Sequence, residues 1–114
     1  MATKVLYRRH GVLVRRLILK PGEATHWHQD LCHRVTVVLS GDRLAIEFAA
    51  GGPVHEVGVH PGQVDWDTPS SRVHRAVNVG RERYVEVVTF LLAHRGQNPQ
   101  PTSVVRTRSR PTRG

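Results

Sequence analysis

The sequence predicts an all-β fold in a single domain, and three observations support this prediction. The chain has 114 residues, which is the length of one domain with one core. Its apolar residues fall in short runs rich in valine, leucine and isoleucine, which is typical of strands. Turn-forming residues separate these runs about every eight to twelve residues, the rhythm of a sandwich or barrel.

The predicted strands follow one another along most of the chain. No stretch of about 12 residues carries a helical stripe, so no helix is predicted. A first run, at residues 4–9, is an expected edge strand. The seven runs that follow it lie at residues 12–20, 34–40, 43–48, 54–60, 63–67, 72–79 and 84–92.

The connections between these runs contain residues suited to tight reversals of the backbone. They are Pro21-Gly22, Gly41-Asp42, Gly51-Gly52-Pro53, Pro61-Gly62 and Gly80. Within the run at 43–48, Leu44 and Ile46 alternate with Ala45 and Glu47, as a strand with one core-facing side requires. The pattern therefore indicates a closed or layered β structure with an inner and an outer face.

The positive charge of the chain is concentrated at its C-terminus. The formal net charge is +8, but residues 95–114 contain five arginines and no acidic residue, so the preceding part carries only +3. This segment is also rich in Pro, Thr and Ser, and we expect a flexible tail after a folded domain at residues 1–94. A basic tail can bind nucleic acid, but no aromatic platform or recognition helix accompanies it, so nucleic acid is not the expected partner.

Cysteine content and hydropathy indicate the compartment. Cys32 is the only cysteine, which excludes an intrachain disulfide and fits a reducing cytoplasm. The N-terminal residues lack a long apolar stretch, and no run of about 18 apolar residues occurs anywhere. We expect a cytoplasmic protein that does not associate with membranes.

Two segments resemble the two conserved motifs of the cupin superfamily. In the first, glycine, His-x-His, glutamate and a final glycine occur at set spacings, and this chain has Gly22, His28, Asp30, Arg34 and Gly41 at those positions. In the second, Pro-x4-His-x3-Asn is matched by Pro69, His74 and Asn78, although the gap from Gly62 to Pro69 is one residue longer than in the motif. The resemblance implies a small single-domain cupin, a double-stranded β-helix or jelly-roll barrel.

The resemblance also implies a metal site, with changes in its ligands. Cupins typically bind a metal through three histidines and a glutamate, whereas this chain offers His28, Asp30 and His74, with Arg34 in the glutamate position. Arginine cannot ligate a metal. Two histidines and one carboxylate nevertheless suit non-haem iron, and oxygenases on the related double-stranded β-helix have the same His-x-Asp…His order. The expected cofactor is a divalent metal, Fe, Zn, Ni or Mn.

An alternative register of the first motif changes the ligand set. If His26 and His28 form the His-x-His pair, His33 occupies the acidic position, and His74 completes an all-histidine site. Such a site would suit zinc, iron or nickel. Its glycine spacings fit the motif less well.

A metal-free pocket is the other interpretation of the same residues. Arg34 and Asp30 would form an ion pair, or Arg34 would hold a carboxylate or phosphate of a ligand while His28 or His74 acts as general acid or base near neutral pH. The expected function is therefore a metal-dependent enzyme for a small organic molecule, of the oxygenase, isomerase, lyase or cyclase type. The alternative is a metal-free binding or accessory cupin.

Three further expectations concern partners and supporting residues. Small cupins commonly pair through edge strands, so we expect a homodimer in which residues 4–9 contribute the edge. Asn78 is interpreted as structural support close to a turn. Trp66 is interpreted as a core residue, because large aromatic side chains bury well.

Overall fold

The structure is a computed structural model that describes residues 1–92. This range contains nine β-strands and no helix, which confirms the predicted all-β fold and leaves no helical segment there that could span a membrane. The strands are β1 (Ala2–Arg9), β2 (Val12–Leu19), β3 (His28–Asp30), β4 (His33–Ser40), β5 (Arg43–Phe48), β6 (His55–Gly58), β7 (Val64–Asp67), β8 (Ser70–Asn78) and β9 (Tyr84–Leu91).

The strands form two antiparallel sheets. One has five strands in the order β1-β2-β9-β4-β7, and the other has four in the order β3-β8-β5-β6. Strand β9 is the central strand of the larger sheet, since β2 pairs with one of its edges and β4 with the other. The last strand of the described range therefore lies where side chains from both neighbouring strands surround it.

The predicted runs agree with the observed strands to within a few residues, with one omission. Strand β3 has only three residues, His28, Gln29 and Asp30, and lacks the apolar run by which the other strands were recognised. The basic tail at residues 95–114 lies outside the described residues, so its flexibility and its capacity to bind nucleic acid stay predictions.

Two clusters of buried side chains lie on the inner face of the larger sheet, and Leu44 of the smaller sheet belongs to the first of them. One contains Leu17, Leu19, Val38, Leu44 and Tyr84, and the other contains Leu13, Cys32, Val88 and Phe90. On β2 and β9, the members of the clusters are separated by an even number of residues, as the alternation of inner and outer side chains requires. The inner face is thus apolar towards each end, and the residues between the clusters are free to carry other chemistry.

The turn between β4 and β5 depends on Gly41. Its φ of +133° lies in the region that favours glycine, and a Cβ atom there would be 2.8 Å from Cδ1 of Tyr84. The chain reverses direction against the Tyr84 ring because no side chain intervenes. This close approach helps to hold Tyr84 in the buried position described below.

Strand β1 forms one edge of the larger sheet, as predicted for residues 4–9. All eight of its residues are exposed, including the apolar Val5, Leu6 and Tyr7. The pairing of β1 with β2 shifts between Val5 and Tyr7, so Leu6 lies at an irregularity of this edge strand. The homodimer itself stays a prediction.

Candidate functional site

A cavity of about 370 Å³ lies between the two sheets, and strands of both line it. This volume is at the lower end of the range of about 300–1,000 Å³ that is typical of ligand pockets. Its apolar lining includes Leu17, Val38 and Leu44, and both His28 and His74 reach it. The charged side chains that line it are Arg15, Arg34, Asp30, Asp65, Asp67 and Glu86.

The smaller sheet brings three of the predicted site residues together. His28 and Asp30 lie two positions apart on β3, and His74 on β8 is the register partner of His28. The β3–β8 register shifts between His28 and Asp30, so that Asp30 pairs with Ser70. The Asp30 carboxylate can therefore lie against both imidazole rings.

The three side chains converge on one carboxylate oxygen. His74 Nε2 is 2.8 Å from Asp30 Oδ2, and His28 Nε2 is 3.5 Å from the same atom. The two rings are 4.6 Å apart between centroids. All three are largely shielded from solvent, with the Asp30 side chain 11% exposed.

Backbone carbonyls set the orientation of both imidazoles. His28 Nδ1 lies 2.7 Å from the carbonyl oxygen of His26, and His74 Nδ1 lies 2.8 Å from that of Arg72. A carbonyl oxygen only accepts, so each Nδ1 must be the donor of its hydrogen bond. Nε2 is then the nitrogen of each ring that faces Asp30, and a ring held through Nδ1 in this way is common among metal-ligating histidines.

The electrostatics of the cluster favour an ionised carboxylate. Burial by itself raises the pKa of Asp30, but hydrogen bonds from His28 and His74 and the positive charge of Arg34 outweigh it and hold that pKa far below its usual range. Burial lowers the pKa of His74, whereas its bonds to Asp30 and to the Arg72 carbonyl raise it, and the net effect is a raised pKa. Asp30 is thus an anion at any physiological pH.

The donor set fits a divalent metal. The candidate ligand atoms of His28, Asp30 and His74 all lie within 4.8 Å of one another. Ligands held about 2.0–2.2 Å from one ion are separated by about 3 Å, which is close to the observed nitrogen–oxygen distances. Two imidazole nitrogens and one carboxylate oxygen are also a set that several first-row metals accept.

Comparison with known proteins identifies the fold. No protein-family model matches the sequence, and no curated protein matches it either. Among solved structures, the chain is similar to a cupin domain from Bordetella pertussis Tohama I, with a TM-score of 0.71 and 22% identity over 81% of this chain and 93% of that chain. This chain has the cupin fold.

Two other structures extend the comparison of the cupin fold. An uncharacterised protein with a double-stranded β-helix domain from Klebsiella pneumoniae has a TM-score of 0.63 and 21% identity, covering 86% of this chain and 82% of that chain. An oxalate oxidase in complex with the substrate analogue glycolate has a TM-score of 0.56 and 23% identity, covering 75% of this chain but 44% of the other. These identities support a shared fold and do not transfer an activity.

Arg34, which stands in the glutamate position of the cupin motif, lies beside the cluster. Its Nη2 is 3.4 Å from Asp30 Oδ2 and 3.7 Å from Asp67 Oδ2, so the predicted ion pair with Asp30 is present. Its Nη1 is buried and has no hydrogen-bond partner among the described residues. A buried charged donor without a partner is costly, and a bound acceptor would remove that cost.

The alternative all-histidine set is not assembled in the structure. His26 and His33 are exposed, and neither of them lines the cavity. His33 precedes Arg34 on β4 and therefore faces the outer side of the sheet, where its ring lies 5.8 Å from that of Trp66. Within residues 1–92, the group that could hold a metal is His28, Asp30 and His74.

Two supporting residues have contrasting outcomes. Asn78 is 1% exposed and bonds three backbone groups, which agrees with its predicted structural role. The expectation that Trp66 belongs to the core is wrong, because it is 58% exposed. Its neighbours Asp65 and Asp67 line the cavity, so the intervening side chain points outwards.

Three cavity residues of the larger sheet were not predicted from the sequence: Arg15, Tyr84 and Glu86. Arg15 lies on the inward-facing side of β2, between Leu13 and Leu17. Glu86 lies on the inward-facing side of β9, between Tyr84 and Val88. For Arg15 and Glu86, the sequence signal that could have revealed them is a charged residue on the apolar side of an alternating strand. None of the three belongs to a cupin motif, so the motifs did not reveal them.

Proposed function

We propose that this chain is a metal-dependent enzyme that acts on a small organic molecule held in the cavity between its sheets. Its reaction would be of the oxygenase, isomerase, lyase or cyclase type. The observation that carries this proposal is the convergence of His28 Nε2 and His74 Nε2 on Asp30 Oδ2, with each Nδ1 tied to a backbone carbonyl.

The charges of the cavity also favour a bound cation. Four carboxyl groups and two arginines line it, so two negative charges are in excess when every acid is ionised. Unbalanced charge in a partly buried space is destabilising. A divalent ion held by His28, Asp30 and His74 would balance this excess despite the adjacent Arg34.

The residues of the chain would divide the work within the cavity. A bound metal would supply Lewis acidity to an oxygen or nitrogen of the ligand. Arg34 would orient an anionic group of the ligand through Nη1, the buried donor that has no partner. The apolar side chains of Leu17, Val38 and Leu44 would exclude water from the bound molecule.

A metal-free binding cupin is the second candidate, and the unpaired Nη1 of Arg34 favours it. In that case the cavity would hold a small anion and perform no metal chemistry. The structural similarity to an oxalate oxidase in complex with glycolate supplies a suitable probe, since glycolate is a small organic anion.

Metal content tests the first candidate. We expect untagged wild-type protein to contain close to one equivalent of a divalent metal by plasma emission, and the variants His28→Ala and His74→Ala to lose about nine-tenths of it or more, because each removes a ligand. His60→Ala, which changes an exposed histidine, should retain the wild-type content. Failure of the wild type to bind Fe(II), Zn(II), Ni(II) or Mn(II) above the level of His74→Ala would refute the metal site.

Anion binding tests the role of Arg34. We expect glycolate to raise the melting temperature of the wild type, and Arg34→Ala to bind it about ten- to a hundredfold more weakly, the effect of losing hydrogen bonds from a charged donor. Arg43→Ala removes an arginine whose side chain is 50% exposed on β5 and should behave like the wild type. Equal stabilisation of wild type and Arg34→Ala would count against this role.

A further inference from the structure

Glu86 is a carboxyl group at the centre of the larger sheet, and neither cupin motif accounts for it. It lies on the central strand β9, where Leu17 of β2 and Val38 of β4 are its register partners. Its side chain lines the same cavity as His28 and Asp30. Burying an acidic side chain among apolar partners costs free energy. Its presence here therefore points to an interaction that offsets this cost.

Tyr84 holds one oxygen of this carboxyl group. The Tyr84 hydroxyl donates a 2.5 Å hydrogen bond to Glu86 Oε1. Burial, together with the nearby Glu86 charge, raises the pKa of Tyr84, so the hydroxyl keeps its proton and remains a donor. Oε1 is therefore occupied as an acceptor, which leaves Oε2 as the oxygen that can carry a proton.

Charged groups on several strands face Glu86 across the cavity. Burial raises the pKa of Glu86, the hydrogen bond from Tyr84 opposes this, the Asp30 charge raises it, and Arg15 and Arg34 lower it. The net effect is a raised pKa. The titratable and charged groups that line the cavity around it are Arg15 on β2, His28 and Asp30 on β3, Arg34 on β4, Asp65 and Asp67 on β7, His74 on β8 and Tyr84 on β9.

We propose that Glu86 is the acid group of this cavity: its Oε2 donates a hydrogen bond to a small organic monoanion that Arg34 and Arg15 also contact, so that each anion binds together with one proton. The proton comes from solvent when Glu86 is ionised in the free protein, and it resides on Oε2 in the complex. No other bond forms or breaks.

The ligand class follows from the contents of the cavity. Its volume of about 370 Å³ suits a small molecule. Arg34 offers a buried Nη1 without a partner, and the Arg15 guanidinium lies 4.7 Å above the centre of the Phe90 ring, a position from which it acts on both Glu86 and Asp30. An anion between two guanidinium groups and an ionised Glu86 would be repelled by the carboxylate, whereas a protonated Glu86 turns this contact into a hydrogen bond.

This inference rests on the proposed function only in requiring that the cavity bind a small organic anion. It requires no particular metal and no particular reaction. A role of Glu86 limited to holding Tyr84 makes a different prediction, because Glu86→Gln keeps an acceptor for the Tyr84 hydroxyl and keeps a donor at the other position, but cannot titrate.

The experiment is calorimetric titration of glycolate and acetate into wild type, Glu86→Gln and Glu82→Gln from about pH 5 to pH 9, in two buffers of different ionisation enthalpy. Above the pKa of Glu86 we expect wild-type affinity to fall by about tenfold more per pH unit than that of Glu86→Gln. The wild type should take up about one proton more per anion. The other ionisable groups of the cavity are the same in both proteins, so the difference between the two isolates Glu86.

Glu82→Gln makes the same chemical change at an exposed position and should follow the wild type. The carboxylic-acid C=O band of the wild type in the infrared should shift on adding glycolate, and this shift should be missing in Glu86→Gln. If glycolate binds through Arg34 but proton uptake is the same in wild type and Glu86→Gln, the inference is wrong and the anion site stands. If neither glycolate nor acetate binds to the wild type, both the role of Glu86 and the proposed anion site are overturned.

Discussion

Asp30→Ala should destabilise the metal-free protein by about 3–5 kcal/mol, the range for removing one partner of a buried charge network. The carboxylate lies within 3.5 Å of His28, His74 and Arg34 and is largely shielded from solvent. Without it, Arg34 keeps only the more distant Asp67. The measurement is urea unfolding of wild type and variant after treatment with EDTA.

The difference in the free energy of unfolding between wild type and Asp30→Ala should depend on pH with a defined sign. The folded-state pKa of Asp30 is depressed, so its contribution is present above its unfolded pKa of about 3.9 and is lost as the pH falls. The folded-state pKa of His74 is raised, so its share is present below about pH 6.5 and is lost as the pH rises through the raised value. The difference between wild type and Asp30→Ala should therefore be largest between about pH 4 and pH 6.5.

Glu56→Ala is the matched control for the Asp30 variant. It breaks the ion pair of Glu56 with Arg43, in which both side chains are at least half exposed. Such surface pairs contribute at most about 1 kcal/mol. A loss in Asp30→Ala no larger than that in Glu56→Ala, or one that does not vary with pH, would contradict the electrostatic account of the cluster.

Asn78→Ala should lower the free energy of unfolding by about 2–4 kcal/mol, because it leaves buried backbone groups without partners. Asn78 Nδ2 donates to the carbonyl oxygens of Leu19 and Glu82, and Asn78 Oδ1 accepts from the Gly80 amide. These bonds tie the end of β8 to the end of β2 and to the loop before β9. The measurement is the midpoint and slope of a urea unfolding curve.

Gln29→Ala is the control for removing a side-chain amide at an exposed position. Its side-chain amide donates to the carbonyl oxygen of Ser71 at an exposed position, where water can replace the bond. We expect a change within about 0.5 kcal/mol. Equal effects of the two substitutions would show that burial of Asn78 does not matter, which would remove the physical basis of the prediction.

Local sequence signals predicted the strands because each signal acts over a few residues. Alternation at residues 43–48 and the turn residues around it give β5 its limits, and Leu44 and Ile46 line the cavity as that alternation requires. The short β3 was missed because His28, Gln29 and Asp30 carry no apolar signal. Its backbone is held as a strand by pairing with β8, which its own sequence does not indicate.

Trp66 and Glu86 show where residue type misleads. An aromatic residue suggests the core and a glutamate suggests the surface, yet Trp66 is exposed and Glu86 lines the cavity. The side that a strand residue faces depends on the register with its neighbours, and a shift of one residue exchanges the two sides. Register is a property of the assembled sheet.

The sequence by itself determined that this chain is all-β, and its two motif segments indicated His28, Asp30, Arg34 and His74 as residues of one pocket. The first conclusion rests on short-range patterns of hydropathy and turns, and the second is what the resemblance of the two segments to the cupin motifs implies. Only the tertiary structure decided which histidines meet Asp30, that Arg34 retains an unpaired buried nitrogen, and that Arg15, Tyr84 and Glu86 share the cavity. These residues are far apart in the chain, and distances between them are set by the packing of two sheets, which no local pattern encodes.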